Sequence, residues 1–451
     1  MGGGHSSDQR DKFGGWTARK FEATGFFRTA KDDRWWLVTP EGNAFLSFGI
    51  NHLYPDLWKQ SYNREAWQKR LGLASLDGPE FSPALRSWFL DTCANYGFNT
   101  VGVHNSLPVV NTPRPAVPYM KPITFIDVPH WKDDVTDENF VDVFAPEFAH
   151  HCDKLAKQEV APLHDDPYLL GYAMTDCPLF TAEDLRERPD TIGGARRQSR
   201  IGWPCRLRNL PGSAPGKQVY VQTMQRLYEN RIGVFNASYS TTFQSFAEFA
   251  QAENWCPETQ ISNISETRDN AEFLKKVINA YYQMAKISIR RYDSNHLFFG
   301  DKINANTDSL DTVLEITSRY TDVIFYQMYA RYEVQRPGLD RWSKQADLPF
   351  INGDSAYTMV TEHMPRPYGP IANVLAQRSA WTETFIREAF ARPEFVGWHY
   401  CGLIDADRRV GRKQGRQHSG LLDGFGQPYP MLDEVIKSCA NELYAIASGG
   451  E

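Results

Sequence analysis

Residues 166–178 read DPYLLGYAMTDCP. The dipeptide Asp166-Pro167 supplies a turn. A short run that is apolar on both faces follows, and it closes on Thr175-Asp176. Apolar character on both faces marks a strand buried in a parallel sheet. Seven further runs have the same character: 45–50 (FLSFGI), 99–103 (NTVGV), 122–126 (PITFI), 296–300 (HLFFG), 322–326 (DVIFY), 348–352 (LPFIN) and 395–400 (FVGWHY). Helix-like amphipathic stretches at 82–96, 145–160, 218–234, 268–292, 308–319, 372–391 and 430–446 fall between most of them. The crossover at 104–121 is Pro-rich and shows no helix. Strands alternating with helices predict the α/β class, and eight such units predict a closed (β/α)8 TIM barrel. No GxGxxG and no GxxxxGK[ST] occurs, which argues against an open nucleotide-binding sheet.

The expected organisation is a flexible lead-in over 1–24 and one barrel catalytic domain over 25–451. A long insertion after strand four, residues 177–267, would lie over the mouth of the site. The stretch RWWLVTPEGNAFLSFGIN (34–51) reads as strand, turn, strand, with Pro40-Glu41-Gly42-Asn43 as the turn.

Composition narrows the function. The 451 residues carry a net charge of −6, and phosphate binding needs a basic excess, so no nucleic-acid partner is expected. No apolar run approaches the ~18 residues that a membrane span requires. Seven cysteines with no CxxC pair predict reduced thiols rather than a disulfide framework. The first residues contain no apolar segment of a secretory signal. The expected location is therefore cytoplasmic, or periplasmic or secreted if a leader has been removed. Aromatic residues make up 13%, enough to supply stacking platforms for sugar rings beyond those the core needs.

In a (β/α)8 barrel the chemistry sits at the carboxyl ends of the strands. Reading past each strand gives Asn51-His52, His104-Asn105, Asp127 with His130-Trp131, Asp176-Cys177, Asp301-Lys302, Tyr326-Gln327, Asp354, and Trp398-His399-Tyr400. Polar groups alternate with aromatic faces, as suits a polyhydroxylated ligand. Asp176 follows strand four and Asp354 follows strand seven, which face each other across the barrel. Paired carboxyl groups are what glycoside hydrolysis requires.

Several stretches together resemble the agarase-like retaining glycoside hydrolases of the barrel glycosidase clan. They are GFFRTAKDDRWWLVTPEGNAFLSFGINH (25–52), DPYLLGYAMTDCP (166–178), LPGSAPGKQVYV (210–221), NHLFFGDK (295–302), LPFINGDSAY (348–357), FVGWHYCGLID (395–405) and GRQHSGLLDGFGQPYPML (415–432). The resemblance runs in order through nearly the whole chain. It implies cleavage of a β-linked oligo- or polysaccharide, of algal, anionic or otherwise modified type, without metal or cofactor. Exo action on short oligosaccharides is the expectation. The departures concern the catalytic pair. The family pattern ends strand four in Asn-Glu, and here Asp176-Cys177 stands in that place. The strand-seven Glu is replaced by Asp354. The reading that follows makes Asp176 the general acid/base, with a pKa raised by burial or by its partner carboxylate, and Asp354 the nucleophile or base. Asn51, His52, His104, Asn105, Trp203, Lys302, Tyr326, Trp398 and His399 would bind sugar. Tyr326 would orient the nucleophile and Trp398 would be the floor aromatic. A second reading stays open: a barrel that has lost its acid/base and binds or senses a sugar without hydrolysing it.

Three further features bear on the site. Cys177 reads as a buried, inert thiol in preference to an activated one. The segment 186–208 holds seven Arg against Glu187 and Asp190, which suits either an anionic sugar or internal ion pairs. The histidines show no metal-binding spacing; His150-His151 are adjacent on a predicted helix and no HExxH occurs. Oligomeric state is not legible in the sequence.

Overall fold

The computed structural model describes residues 10–106, 117–126, 141–178, 180–183, 202–260, 262–304, 310–406 and 418–449. Four strands open the chain: β1 (Trp16–Lys20), β2 (Arg28–Lys31), β3 (Trp35–Val38) and β4 (Asn43–Phe45). They pair antiparallel in the order β1-β4-β3-β2. The hairpin expected around Pro40–Asn43 is β3–β4, with Leu37 opposite Phe45 and Val38 opposite Ala44. Strand β1 lies within the stretch expected to be a flexible lead-in; Trp16 anchors it by stacking on Tyr444 at 5.3 Å.

Eight parallel strands follow: β5 (Ser47–Ile50), β6 (Thr100–Val101), β7 (Tyr119–Pro122), β8 (Leu169–Asp176), β9 (Leu297–Lys302), β10 (Ile324–Tyr326), β11 (Phe350–Ser355) and, after the small pair β12 (Thr358–Met359) and β13 (Ile371–Ala372), β14 (Phe395–Tyr400). Their order is β10-β11-β14-β5-β6-β7-β8-β9. The ends of this ribbon meet where Ile303 N donates to Phe325 O at 3.1 Å and Gln327 N to Ile303 O at 2.7 Å. The sheet is thereby a closed (β/α)8 barrel. Nearly every residue of these strands is buried, which is why they read as apolar runs instead of alternating ones.

Seven of the eight expected strands coincide with observed ones to within a few residues. The third begins earlier than expected, at Tyr119, and ends at Pro122. The apolar run that follows it is buried too, with Ile123, Phe125 and Ile126 in the core, so hydrophobicity alone did not mark where pairing stops. Among the helices outside the expected stretches are the short Arg64–Leu71 and the longer Tyr332–Gln345, the latter hidden because Pro337 and Gly338 sit inside it and both read as breakers. Its buried residues Tyr332, Gln335, Leu339 and Trp342 keep helical spacing nonetheless.

The antiparallel sheet sits at the amino ends of the barrel strands, opposite the site. Arg34, buried, makes the junction. Its guanidinium donates to five carbonyls: that of the neighbouring Trp35 (3.3 Å) and, across the junction, Phe390 (2.9 Å), Ala447 (2.7 Å), Arg392 (3.0 Å) and Phe395 (2.7 Å). These lie where the helix Leu375–Phe390 turns into β14 and where the helix Pro430–Ala447 ends.

The insertion after β8 contains the helices Trp203–Arg208, Pro215–Leu227, Ile232–Tyr239 and Phe246–Gln251 before the long helix Ile264–Tyr292. Arg208 belongs to the Arg-rich segment expected to meet substrate, but it faces inward. It pairs with Glu266 at 2.6 Å, both side chains being fully buried, and donates to the carbonyls of Cys256 (2.9 Å) and Glu258 (3.1 Å). Trp203 is also buried. It packs on Phe180 (5.9 Å) and Tyr281 (6.3 Å), so it holds the insertion against the barrel instead of offering a platform to sugar. The part of the segment at 186–201 lies outside the described residues, as do Asp127, His130 and Trp131. None of the seven cysteines forms a disulfide. No helix among the described residues is long and apolar enough to cross a membrane.

Removing one member of a fully buried ion pair strands the other charge, at a cost of ~3–5 kcal/mol. Arg208→Met is expected to lower unfolding free energy by about that amount, read by denaturant titration, with the insertion becoming sensitive to proteolysis first.

Candidate active site

Five strands end in polar residues that turn into the barrel mouth. From β9 comes Lys302, buried at 1% side-chain exposure. An ammonium has three protons to donate. Each finds an acceptor: Asp176 Oδ1 at 3.0 Å, Asp354 Oδ2 at 3.1 Å, and the Nε2 of His104. The acceptors come from β8, from β11 and from the loop after β6. One cation therefore ties together three strand ends and faces both carboxylates of the predicted pair. Because both oxygens touch one nitrogen, they lie within about 6 Å of each other, the range over which paired carboxyl groups flank a glycosidic bond.

Asp354 is the more enclosed carboxylate, with 3% of its side chain exposed against 32% for Asp176. Asn51 Nδ2 donates to Asp354 Oδ1 (3.2 Å) and to Gly353 O (2.7 Å), while its Oδ1 accepts from His104 N (3.3 Å). This side chain clamps the ends of the first, second and seventh barrel strands. Gly102 makes that possible, since a Cβ there would sit 2.1 Å from Asn51 Oδ1. His52 Nε2 lies 3.7 Å from Asp354 Oδ1, and His104 Nε2 3.6 Å from Oδ2.

The charges follow from this geometry. Burial would push the Asp354 carboxyl up. The Lys302 ammonium outweighs burial and holds it well below the ordinary carboxylate range. Burial and then Lys302 push His104 down to about 3, so it stays neutral and its Nε2 can accept from the ammonium. Burial would lower the Lys302 ammonium, but Asp176 and Asp354 raise it, so the cation keeps its proton. Behind Lys302, the preceding residue Asp301 is buried and is pushed up to about 7, mainly by that burial. Its Oδ1 accepts from Thr175 N (2.9 Å) and Tyr281 Oη (3.0 Å), which ties β9 to the last turn of β8.

Cys177 occupies a left-handed conformation with φ of 54° directly after Asp176. Its Sγ lies 3.1 Å from Asp176 Oδ1 and 3.2 Å from Gln327 Oε1, both acceptors for its one proton. Burial, then the Asp176 charge, push the thiol well above its ordinary value. It is a neutral packing and orienting group and is not poised as a nucleophile.

The structure thus brings together Asp176, Asp354, Lys302, His104, His52 and Asn51. Asn105 stands beside them and serves the backbone, donating to Gly102 O and Met120 O. The remaining candidates face elsewhere. Tyr326 points outward to the helix Tyr332–Gln345, its ring edge-on to Trp342 at 5.5 Å and its hydroxyl on Gln335 Oε1. Trp398 also points outward, packed on Phe385 at 5.1 Å with Nε1 donating to Ser355 Oγ at 2.8 Å. His399 points inward one layer below the mouth, its Nε2 2.8 Å from Ser47 Oγ, in space that Gly49 leaves open. Successive strand residues face opposite sides, so one position along a strand exchanges rim for helix layer.

Three residues at the mouth were not singled out by sequence. Tyr329, three positions past Tyr326, is half-buried near Asp354 and Cys401; burial of its hydroxyl, then those groups, push its phenol well up. Cys401 follows β14 directly. His418 sits 3.1 Å from Cys401 Sγ through Nδ1 and stacks on His52 at 4.2 Å. Their sequence signal was weak: a Tyr beyond a strand, one scattered Cys, and a His at the end of a basic tail.

No family model matches the chain. In sequence it is similar to β-agarase B of a Vibrio species (strain JT0107), 22% identical across 97% of this chain and 50% of that protein. The chain thus spans about half the length of that curated relative. Among solved structures it is similar to an exo-β-agarase (TM-score 0.76, 19% identity, 99% of this chain and 69% of that one). It is likewise similar to the agarase AgWH50C (TM-score 0.75, 19% identity, 97% and 68%) and to BpGH50 (TM-score 0.68, 18% identity, 98% and 87%). At these identities the structural likeness establishes a shared barrel fold.

The depressed Asp354 carboxyl contributes stability that is present above its unfolded pKa of ~3.9 and lost as pH falls through the lower folded value. In Lys302→Met, burial raises that carboxyl instead. The sign then reverses: the variant loses ~3–5 kcal/mol at neutral pH and regains part of it as pH falls toward 4. Thermal midpoints of both proteins between pH 7 and pH 4 check this: the Asp354 contribution of the wild type is constant over that range, and the midpoint of the variant rises relative to it on acidification.

Proposed function

We propose that this chain is a glycoside hydrolase that cleaves a β-linked oligo- or polysaccharide, with agarose-type galactans as the first substrate class. The observation that carries the reading is the facing of Asp176 and Asp354 across one lysine, at the ends of the fourth and seventh barrel strands. The sequence similarity to a β-agarase along 97% of the chain supports the same class.

Asp354, buried and ionised, is suited to attack the anomeric carbon. Asp176, the more open of the two, is suited to protonate the departing glycosidic oxygen and then to take a proton from the incoming water. At rest it is ion-paired to Lys302. The acid must therefore gain its proton as the sugar enters and separates it from the ammonium. The bridged oxygens lie closer than the ~6.5–9.5 Å that an inverting enzyme leaves for water, so retention of configuration is the expected outcome. His52 and His104 offer hydrogen-bonding groups to sugar hydroxyls. Exo action on short oligosaccharides remains part of the proposal.

One observation favours a second reading, a barrel that binds sugar without cleaving it. Cys177 stands where the resembling family has its acid/base Glu, and Lys302 engages both remaining carboxylates.

A turnover screen against agarose-derived oligosaccharides, sulfated ones included, and aryl β-galactosides separates the two. Hydrolysis by the wild type, reduced ~10³-fold or more in Asp354→Asn and ~10²-fold or more in Asp176→Asn with binding retained, is the expected result. Tight calorimetric binding of one member with no turnover by the wild type selects the binding barrel instead.

A further inference from the structure

Beside the carboxylate pair, three side chains from separate parts of the chain meet at one buried point. His52 follows β5, Cys401 follows β14, and His418 lies beyond the eighth strand. One ring nitrogen of each histidine and the sulfur of Cys401 all lie within 4.8 Å of one another. All three residues are buried. Cys401 Sγ is 3.1 Å from His418 Nδ1, and the two imidazoles stack with a 29° tilt.

Two observations distinguish this cluster from ordinary packing. His52 is held at φ 58°, a left-handed conformation that strains a residue with a Cβ. Its Nε2 is buried and makes no hydrogen bond; the Asp354 oxygen at 3.7 Å is beyond hydrogen-bond reach. A buried ring nitrogen without a partner is costly unless something takes its proton or its lone pair.

We propose that His52, Cys401 and His418 form a binding site for a zinc-class divalent cation at the barrel mouth. Two imidazoles and one thiolate are a borderline-soft donor set, as zinc prefers. Three protein ligands leave a fourth position open. Asp354 Oδ1 lies 3.7 Å from His52 Nε2, beside the cluster. Binding would release the Cys401 proton, because a coordinated thiol is deprotonated. The local charges then balance, with the dication and Lys302 set against the Cys401 thiolate, Asp354 and Asp176. A second grouping, His52 with His104 and Asp354, is equally compact. It is less suited, since the His104 nitrogen already accepts from the Lys302 ammonium, which would confront the cation. The site does not depend on the hydrolytic reading; a sugar-binding barrel would hold the ion as well.

The test uses the full chain, stripped with chelator, dialysed and titrated with cobalt(II). The expected result is one equivalent bound, with a near-ultraviolet sulfur-to-cobalt charge-transfer band and the intense visible absorption of a four-coordinate ion. Cys401→Ser should abolish the charge-transfer band, and His418→Gln should weaken binding and alter the visible spectrum. Cys439→Ser, which removes a buried thiol from the helix Pro430–Ala447, should leave both unchanged. A wild type with no such band overturns the proposal, and so does a band that survives Cys401→Ser or disappears with Cys439→Ser. If Cys401→Ser does not fold, the wild-type spectrum and His418→Gln decide.

Discussion

The mouth of this barrel depends on one buried ammonium whose three protons are all taken. Lys302 could not be charged at 1% exposure without compensation, since desolvation of an ion costs several kcal/mol. Asp176 and Asp354 supply the opposite charge, and neutral His104 completes the donor count. Each partner is in turn defined by the lysine. Asp354 is ionised because the cation stands beside it, and His104 is neutral because burial, and then the same cation, disfavour its proton. Three strand ends that are remote in sequence thereby share one hydrogen-bonded centre.

Asn51 gives that centre its rigidity. Its amide bridges the first, second and seventh strand ends, and Gly102 leaves the room for it. Behind the mouth, Asp301 ties β9 to β8 through Thr175 and Tyr281. The supporting layer is thus hydrogen-bonded on both sides of Lys302. Such support is what holds a carboxylate pair at working distance from a substrate bond. At the far end of the strands Arg34 performs a comparable closure, with five backbone carbonyls around one guanidinium. The barrel is pinned at both ends by buried cations, and only the upper one meets carboxylates.

The strand ends were legible because a buried parallel strand is apolar until it reaches the rim, where the first polar residues appear. That rule correctly flagged Asn51, His52, His104, Asp176, Lys302 and Asp354 for the mouth. It failed where the question was which way a side chain points within a strand. Tyr326 and Trp398 are as apolar as their neighbours, so nothing in the run distinguishes helix-facing from barrel-facing positions. It failed also for Arg208 and Trp203. A basic, aromatic loop reads as a binding surface, whereas burial against Glu266 and Phe180 is a property of the folded insertion.

The sequence by itself determined the barrel, because eight two-sided apolar runs separated by amphipathic stretches have few other ways to bury their surface. It also determined which residues stand at the carboxyl ends, because that follows from counting along each strand. Only the tertiary structure decided how those residues meet. The convergence of Lys302 on two carboxylates and a histidine, and of His52 with Cys401 and His418, joins positions up to 366 residues apart in number. Closure of the barrel sets such distances, and no local pattern encodes them. Ionisation states belong to the same class, since burial and neighbouring charge fix them and both exist only in the folded chain.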